Sequence, residues 1–335
     1  MTINLSKPQC YSALGQKPNQ EDALYPALGV ATEHSRVFLV CDGMGGHEKG
    51  EVASNCVAET VGQLTANRPP CAVADMKQAF EQALKQAYHS LDRLDTGQSE
   101  KRMGTTLTFL ACCTDGVLVA HIGDSRVYQL RPGKGIVFQT RDHSLVNDLI
   151  AAGELSREEA RNFSQRNVIT RAVQPHQEYP ARASYKILTD ILPGDVFFLC
   201  CDGVTEQLED EELAALLLQP GSTAERLQAV EHECARRNTR DNNTAYLVEV
   251  AGVEARTDHI ELPLEAEATP DPHLAVKPHC HRGRNLTVII VSLVAIALML
   301  AFVFYTRQGD TQAEPQSDEA PAGQVQGTIQ RHPHR

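Results

Sequence analysis

The sequence predicts an α+β layered fold over residues 5–252 and one membrane-spanning helix at 286–305. Three observations predict this. Short apolar strands come in groups joined by tight turns. Helical spacing appears before and after those groups. A charge-free run stands near the C-terminus.

The strands come first. Apolar runs mark them at 37–41, 105–113, 117–122, 126–130, 196–201 and 244–250. Asp115-Gly116 joins two of them as a hairpin turn, because these residues tolerate the backbone a tight reversal needs. Gly123-Asp124-Ser125 punctuates the next junction. Strands joined this way form an antiparallel meander, whereas parallel strands need long crossovers. The helices are equally legible. Met76, Phe80, Ala83, Ala87, Leu91 and Leu94 recur at helical spacing, as do Leu227, Val230 and Cys234. Residues 51–64 and 211–218 also read as helices, and 145–171 is polar with a helical pattern. Strand groups flanked by helices pack in layers around one core.

The final element is LTVIIVSLVAIALMLAFVFY at 286–305. At about 1.5 Å per residue it spans about 30 Å, the thickness of the hydrocarbon core of a bilayer. Lys277, Arg282 and Arg284 precede it; Arg307 follows, then an acidic stretch with Asp310, Glu314, Asp318 and Glu319. Basic residues stay on the cytoplasmic side. The expectation is a single-pass membrane protein. Its main domain is cytoplasmic, 253–285 is a juxtamembrane linker, and 306–335 is a short tail outside.

Composition narrows the function. A hydrophobic content of 42% in 335 residues supports a substantial core, built from aliphatic side chains because Trp is absent. A net charge of −12 speaks against a nucleic-acid partner, which requires a basic face. Cys41, Cys112, Cys113, Cys200 and Cys201 lie in or at the end of apolar runs, where free cysteine behaves as a small hydrophobe. No CxxC pair suggests zinc, and the first residues lack the apolar core of a signal peptide. Reduced thiols in a cytosolic compartment are expected.

The carboxylates carry the chemistry. Strands run into Asp42-Gly43, Asp124 and Asp202-Gly203; Asp241 leads into a strand, and Glu21-Asp22 closes an early polar segment. Each alone fits a turn. Together they can converge on one edge of a sheet, where like charges need cations to neutralise them. Oxygen ligands without clustered His favour Mg²⁺ or Mn²⁺. Two such ions can share a carboxylate and activate a water for in-line attack on phosphorus. The Gly-rich loop after Asp42 lacks the GxxxxGK[ST] spacing of a P-loop.

In order along the chain stand KPNQEDAL, VCDGMGGHEKGEVAS, MGTTLT, HIGDSRVYQLR, RDHSLV, GDVFFLCCDGVTE and RDNNTAYLV. This series resembles the bacterial type 2C metal-dependent serine/threonine protein phosphatases. The resemblance covers about residues 5–252. It implies a four-layer αββα sandwich, two mainly antiparallel sheets flanked by helices, with metals at one end. It implies that Asp42 bridges two Mg²⁺ or Mn²⁺ ions, that the Gly43 carbonyl binds one, and that Asp202 and Asp241 bind the other. Asp22 and Glu21 would hold metal-bound waters, and Asp124 a third, weaker ion. Lys17 stands where many members bind substrate phosphate with Arg; Lys keeps the charge without the bidentate fork. Met44 replaces the His that animal members place two residues after the bridging Asp. His47 is then a candidate general acid, with a metal-bound water as its rival. Arg161, Arg166 and Arg171 either contact a phosphopeptide or form a solvated helix surface. The implied partners are phosphoproteins and an opposing Ser/Thr kinase. The alternative from another class is a membrane-anchored pseudophosphatase that binds phosphoproteins without turnover; the complete Asp set speaks against it.

Overall fold

The computed structural model describes residues 1–45, 49–95, 103–160, 163–165 and 167–254. They belong to the first of two units, Met1–His259. The expected spanning helix at 286–305, the tail at 306–335 and nearly all of the linker lie outside the described residues. No described helix is long and apolar enough to cross a membrane.

Strands β1 (Thr2–Leu5), β2 (Gln9–Ala13), β3 (Asp22–Tyr25) and β4 (Val37–Met44) come first, followed by helices α1 (Lys49–Ala66) and α2 (Val73–Leu94). Next are β5 (Gly104–Thr105), β6 (Leu107–Cys112), β7 (Val117–Ile122), β8 (Arg126–Arg131) and β9 (Gly135–Gln139). Helices α3 (Leu145–Ala152) and α4 (Arg157–Ala160) lead to β10 (Ser184–Leu188) and β11 (Val196–Cys200). Then follow α5 (Asp202–Thr205), α6 (Asp210–Leu218), α7 (Thr223–Arg236) and β12 (Asn243–Glu254).

The strands form two antiparallel sheets. One runs β1-β12-β11-β8-β9, with β2 also on β12; the other runs β10-β7-β6-β4-β3, with β5 on β4. The run Val37-Phe38-Leu39-Val40-Cys41 shows why both faces of β4 are apolar. Val37, Leu39 and Cys41 share a core with Val57, Val61, Phe80 and Leu91 of α1 and α2. Phe38 and Val40 point the other way, into a core shared with the second sheet. There Phe38 meets Tyr246 of β12, with ring centroids 5.3 Å apart. A strand covered on both faces loses the alternation of a half-exposed one. Leu213, Leu217, Leu227 and Val230 bring α6 and α7 onto the outer face of the other sheet.

The expected meander holds from β6 to β7 and then breaks. β8 crosses to the other sheet, where it pairs with β11 and β9. Gly123, at φ 102°, makes the turn that redirects the chain, in a region an L side chain resists. In the described part of 145–171 the helical residues are those of α3 and α4. No disulfide joins the described cysteines.

The β8–β11 pairing is secured by a buried ion pair. Arg131 Nε and Nη2 donate to the two Asp195 oxygens at 2.7 and 2.8 Å, while Gln129 Nε2 and the Leu192 N–H donate to Asp195 Oδ2 as well. Burial alone would raise the Asp195 pKa, but these donors hold it below its ordinary value. Removing Asp195 leaves the buried donors of Arg131, Gln129 and Leu192 short of an acceptor, with only the exposed Asp190 carboxylate still paired with Arg131, at 2.8 Å. Asp195→Ala is therefore expected to cost about 3–5 kcal/mol of stability. A fall in the urea midpoint at unchanged m-value checks it.

Candidate metal centre

Strand register brings the acidic residues to one end of the sandwich. Asp22 of β3 lies directly opposite Asp42 of β4. Cys200 of β11 pairs with Arg126 of β8 and Ala245 of β12. These pairings bring Asp124, just before β8, Asp202, just after β11, and Asp241, just before β12, to the same edge. The Asp42 backbone is clamped by three threonine contacts. Its N–H donates to Thr106 Oγ1 at 2.9 Å, and its carbonyl accepts from the Thr106 N–H and Thr105 Oγ1, each at 2.9 Å. Asn242 ties down the segment before Asp22. It accepts the Glu21 N–H at 2.8 Å and donates to the Leu14 and Asn19 carbonyls. Gly43 permits the crowding: a Cβ there would sit 2.3 Å from the Gly50 carbonyl oxygen and 2.4 Å from that of Glu21. The Gly43 N–H donates to the Glu21 carbonyl at 3.1 Å, and the Glu21 carboxylate lies against Gly50 at the start of α1.

The electrostatics are those of an uncompensated anionic cluster. Burial raises the Asp22 pKa to about 7, reinforced by the Asp202 and Asp241 charges and only partly offset by the nearby Thr244 and Cys201. Burial and the charge of Asp202 raise Asp124 to about 7. Asp42 is pushed well above its ordinary value by burial and by Asp202 and Asp22, and Asp202 is raised mainly by burial. Both Asp22 carboxylate oxygens and Asp202 Oδ1 are buried without a hydrogen-bond partner. Lys17 is close, with Nζ 2.8 Å from Asp241 Oδ1. Burial lowers its pKa, but Asp241, Glu21 and Asp42 outweigh that and leave it raised.

Orphaned buried carboxylate oxygens, all hard donors, fit divalent cations of the Mg²⁺ or Mn²⁺ type. The structure brings Asp22, Asp42, Asp124, Asp202, Asp241, Glu21, Gly43 and Lys17 to this one edge. His47, Arg161 and Arg166 lie outside the described residues. Asn242 and the Thr105-Thr106 pair escape sequence reasoning, although each lies within a motif quoted above. So does Cys201, read there as a small hydrophobe. Its Sγ lies within 4.8 Å of carboxylate oxygens of Asp22 and Asp42. Burial pushes this thiol well up, so it stands protonated beside the carboxylates.

Two antiparallel sheets that deliver buried carboxylates to one edge define a divalent-cation site of the kind that metal-dependent hydrolases use. The family model described as protein phosphatase 2C matches residues 11–240. The protein phosphatase PhpP of Streptococcus pneumoniae is 30% identical over 212 residues, covering 63% of this chain and 85% of its own. The crystal structure of the Mycobacterium tuberculosis serine/threonine phosphatase PstP/Ppp superposes with a TM-score of 0.63 at 28% identity, over 73% of this chain and 99% of its own. The PstP catalytic domain in complex with two manganese ions gives a TM-score of 0.60 at 28% identity, over 75% and 100%. The chain belongs to the protein phosphatase 2C family. It is a protein serine/threonine phosphatase.

Proposed function

We propose that this site hydrolyses phosphoserine and phosphothreonine in proteins with two Mn²⁺ or Mg²⁺ ions as cofactors. The observation that carries the reading is the convergence of Asp22, Asp42, Asp124, Asp202 and Asp241, with buried oxygens left unpartnered. Asp42 would bridge the pair, the Gly43 carbonyl would hold one ion, and Asp202 with Asp241 the other. Asp22 and Glu21 would orient bound waters, and Asp124 would support a third, weaker ion. When bound, the pair neutralises the cluster and supplies an activated water for in-line attack on phosphorus. Lys17, already fixed beside Asp241, positions the phosphate oxygens through its charge. His47 is the candidate donor of the proton that the leaving seryl or threonyl oxygen takes up. Cys200 and Cys201 are buried and held as thiols, which favours direct attack by water over a cysteinyl-phosphate route.

The test pairs two readouts. The manganese-loaded full chain should release phosphate from a phosphothreonine peptide and stop on chelation, and calorimetric titration of the metal-free chain should show two tight equivalents of Mn²⁺ ahead of the weaker third. Release that survives full chelation would overturn the reading.

We also propose the domain plan 5–252, 253–285, 286–305 and 306–335, with residues 286–305 anchoring a cytoplasmic phosphatase domain to the inner membrane. The support is the charge-free run with Lys277, Arg282 and Arg284 before it. An opposing Ser/Thr kinase is the partner class this implies. Alkaline extraction should leave the full chain in the membrane pellet and release a chain ending at 254; a full chain that extracts would refute the anchor.

A further inference from the structure

Beside the carboxylate centre lies a cavity of about 560 Å³, walled by Met44, Arg171, Gln174, Gln177, Tyr179 and Arg182 among others. Backbone bonds fix its place relative to the centre. Thr105 and Val173 exchange two backbone hydrogen bonds, at 3.0 and 2.9 Å. Thr105 Oγ1 in turn donates to the Asp42 carbonyl at 2.9 Å. Arg171 stands two residues before Val173, and Met44 two residues after Asp42. A second tie runs through His143. Arg171 Nη1 lies 3.4 Å from His143 Nε2, and His143 Nδ1 accepts the Gly123 N–H at 3.1 Å, next to Asp124. The cavity wall and the carboxylate cluster are thus parts of one framework.

The charge lining this cavity is opposite in sign to the net charge of the chain. The chain carries a net charge of −12, yet the described lining holds two guanidinium groups and no carboxylate. Both arginines are exposed. Arg182 makes no hydrogen bond or ion pair with a described residue. The Gln174 and Gln177 side chains meet at 3.4 Å and add amide groups to the same wall. Guanidinium forks match the geometry of a carboxylate or a phosphate. Lys17 is ion-paired with Asp241 and does not line this cavity.

We propose that the cavity is a second-anion subsite. While the carboxylate centre engages the phosphoresidue, Arg171 and Arg182 hold a carboxylate or a second phosphate on a nearby side chain of the same substrate. The proposal rests on the phosphatase reading above and adds a substrate class: phosphoproteins with an anionic residue close to the scissile phosphate.

The test uses the full chain with Mn²⁺ and four peptides that share one phosphothreonine. Their flanks are neutral, acidic, basic, or carry a second phosphothreonine. The expected kcat/KM for the anionic flanks is about tenfold above that for the neutral one, carried by KM, and the gain shrinks in high salt. Arg182→Gln and Arg171→Gln should each pull that ratio toward one, and Arg182→Lys should retain part of it. A gain confined to the doubly phosphorylated peptide assigns the subsite to phosphate; a shared gain assigns it to either anion. Equal kcat/KM across the four peptides, or a ratio unchanged in both Gln variants, would overturn the subsite while leaving the phosphatase reading intact. Failure to dephosphorylate any peptide would remove that reading and the subsite with it.

Discussion

Asp42→Asn is expected to cut manganese-dependent turnover of a phosphothreonine peptide by about 10³-fold or more, without unfolding the protein. The two halves of this result have different causes. Asp42 is the residue on which the other carboxylates converge: Asp22 faces it across the β3–β4 pair, and Asp202 and Asp124 both act on its ionisation. Asn keeps the size and one oxygen but loses the charge that two cations would share. The fold does not depend on that charge. The clamp from Thr105 and Thr106 reaches the Asp42 backbone and survives the substitution. Asn also removes one member of a repelling set. The metal-free variant should therefore melt no lower than the metal-free parent, and the rise in Tm on adding Mn²⁺ should disappear. A variant that keeps both turnover and the Mn²⁺-induced rise would show that Asp42 is not the bridging ligand.

Metal-free protein is expected to lose stability steadily between pH 5 and pH 8. Asp22 and Asp124 are raised from about 3.8 to about 7 in the folded chain. A carboxyl whose folded pKa exceeds its unfolded value takes up a proton on folding. Its favourable contribution is complete below about pH 4 and is lost as pH climbs through 7. Each unit of such a shift corresponds to about 1.4 kcal/mol; the opposing gain from His143, whose pKa burial lowers to about 4, and the coupling between the carboxyls reduce the sum, so a net loss on the order of 3 kcal/mol is expected. That lowers Tm by about 10 °C for a domain of this size. Saturating Mn²⁺ at pH 8 should restore most of it, since a ligand at a hundred times its Kd contributes about 2.7 kcal/mol. Thermal melts at the two pH values, with and without Mn²⁺, measure all of this. A metal-free Tm that rises from pH 5 to pH 8 would contradict the buried-cluster picture.

The strands that fill the interior were legible because burial writes itself into the sequence. Val37–Cys41 and Val196–Cys200 are unbroken apolar runs, and the structure covers both faces of each. The strands that sequence reading passed over are short or polar. β1 and β9 sit at one sheet's edges, and β3 and β10 at the other's. Gly135–Gln139 and Ser184–Leu188 keep much of their surface in water, and an edge strand needs no apolar alternation to pair. Asp22 shows the consequence. In the sequence it closes a polar stretch; in the structure it opens a strand and is buried opposite Asp42.

By itself the sequence determined the α+β class, the aliphatic cores and the identity of the acidic residues at strand ends. Those are local facts: an apolar run, a turn pair, a carboxylate beside glycine. The tertiary structure alone decided that β8 leaves the sheet of β7, that Cys201 stands among the carboxylates and that Arg171 and Arg182 wall one cavity with Met44. Register across strands distant in sequence sets each of these. Pairing energy depends on the partner strand, and no residue carries its partner's address.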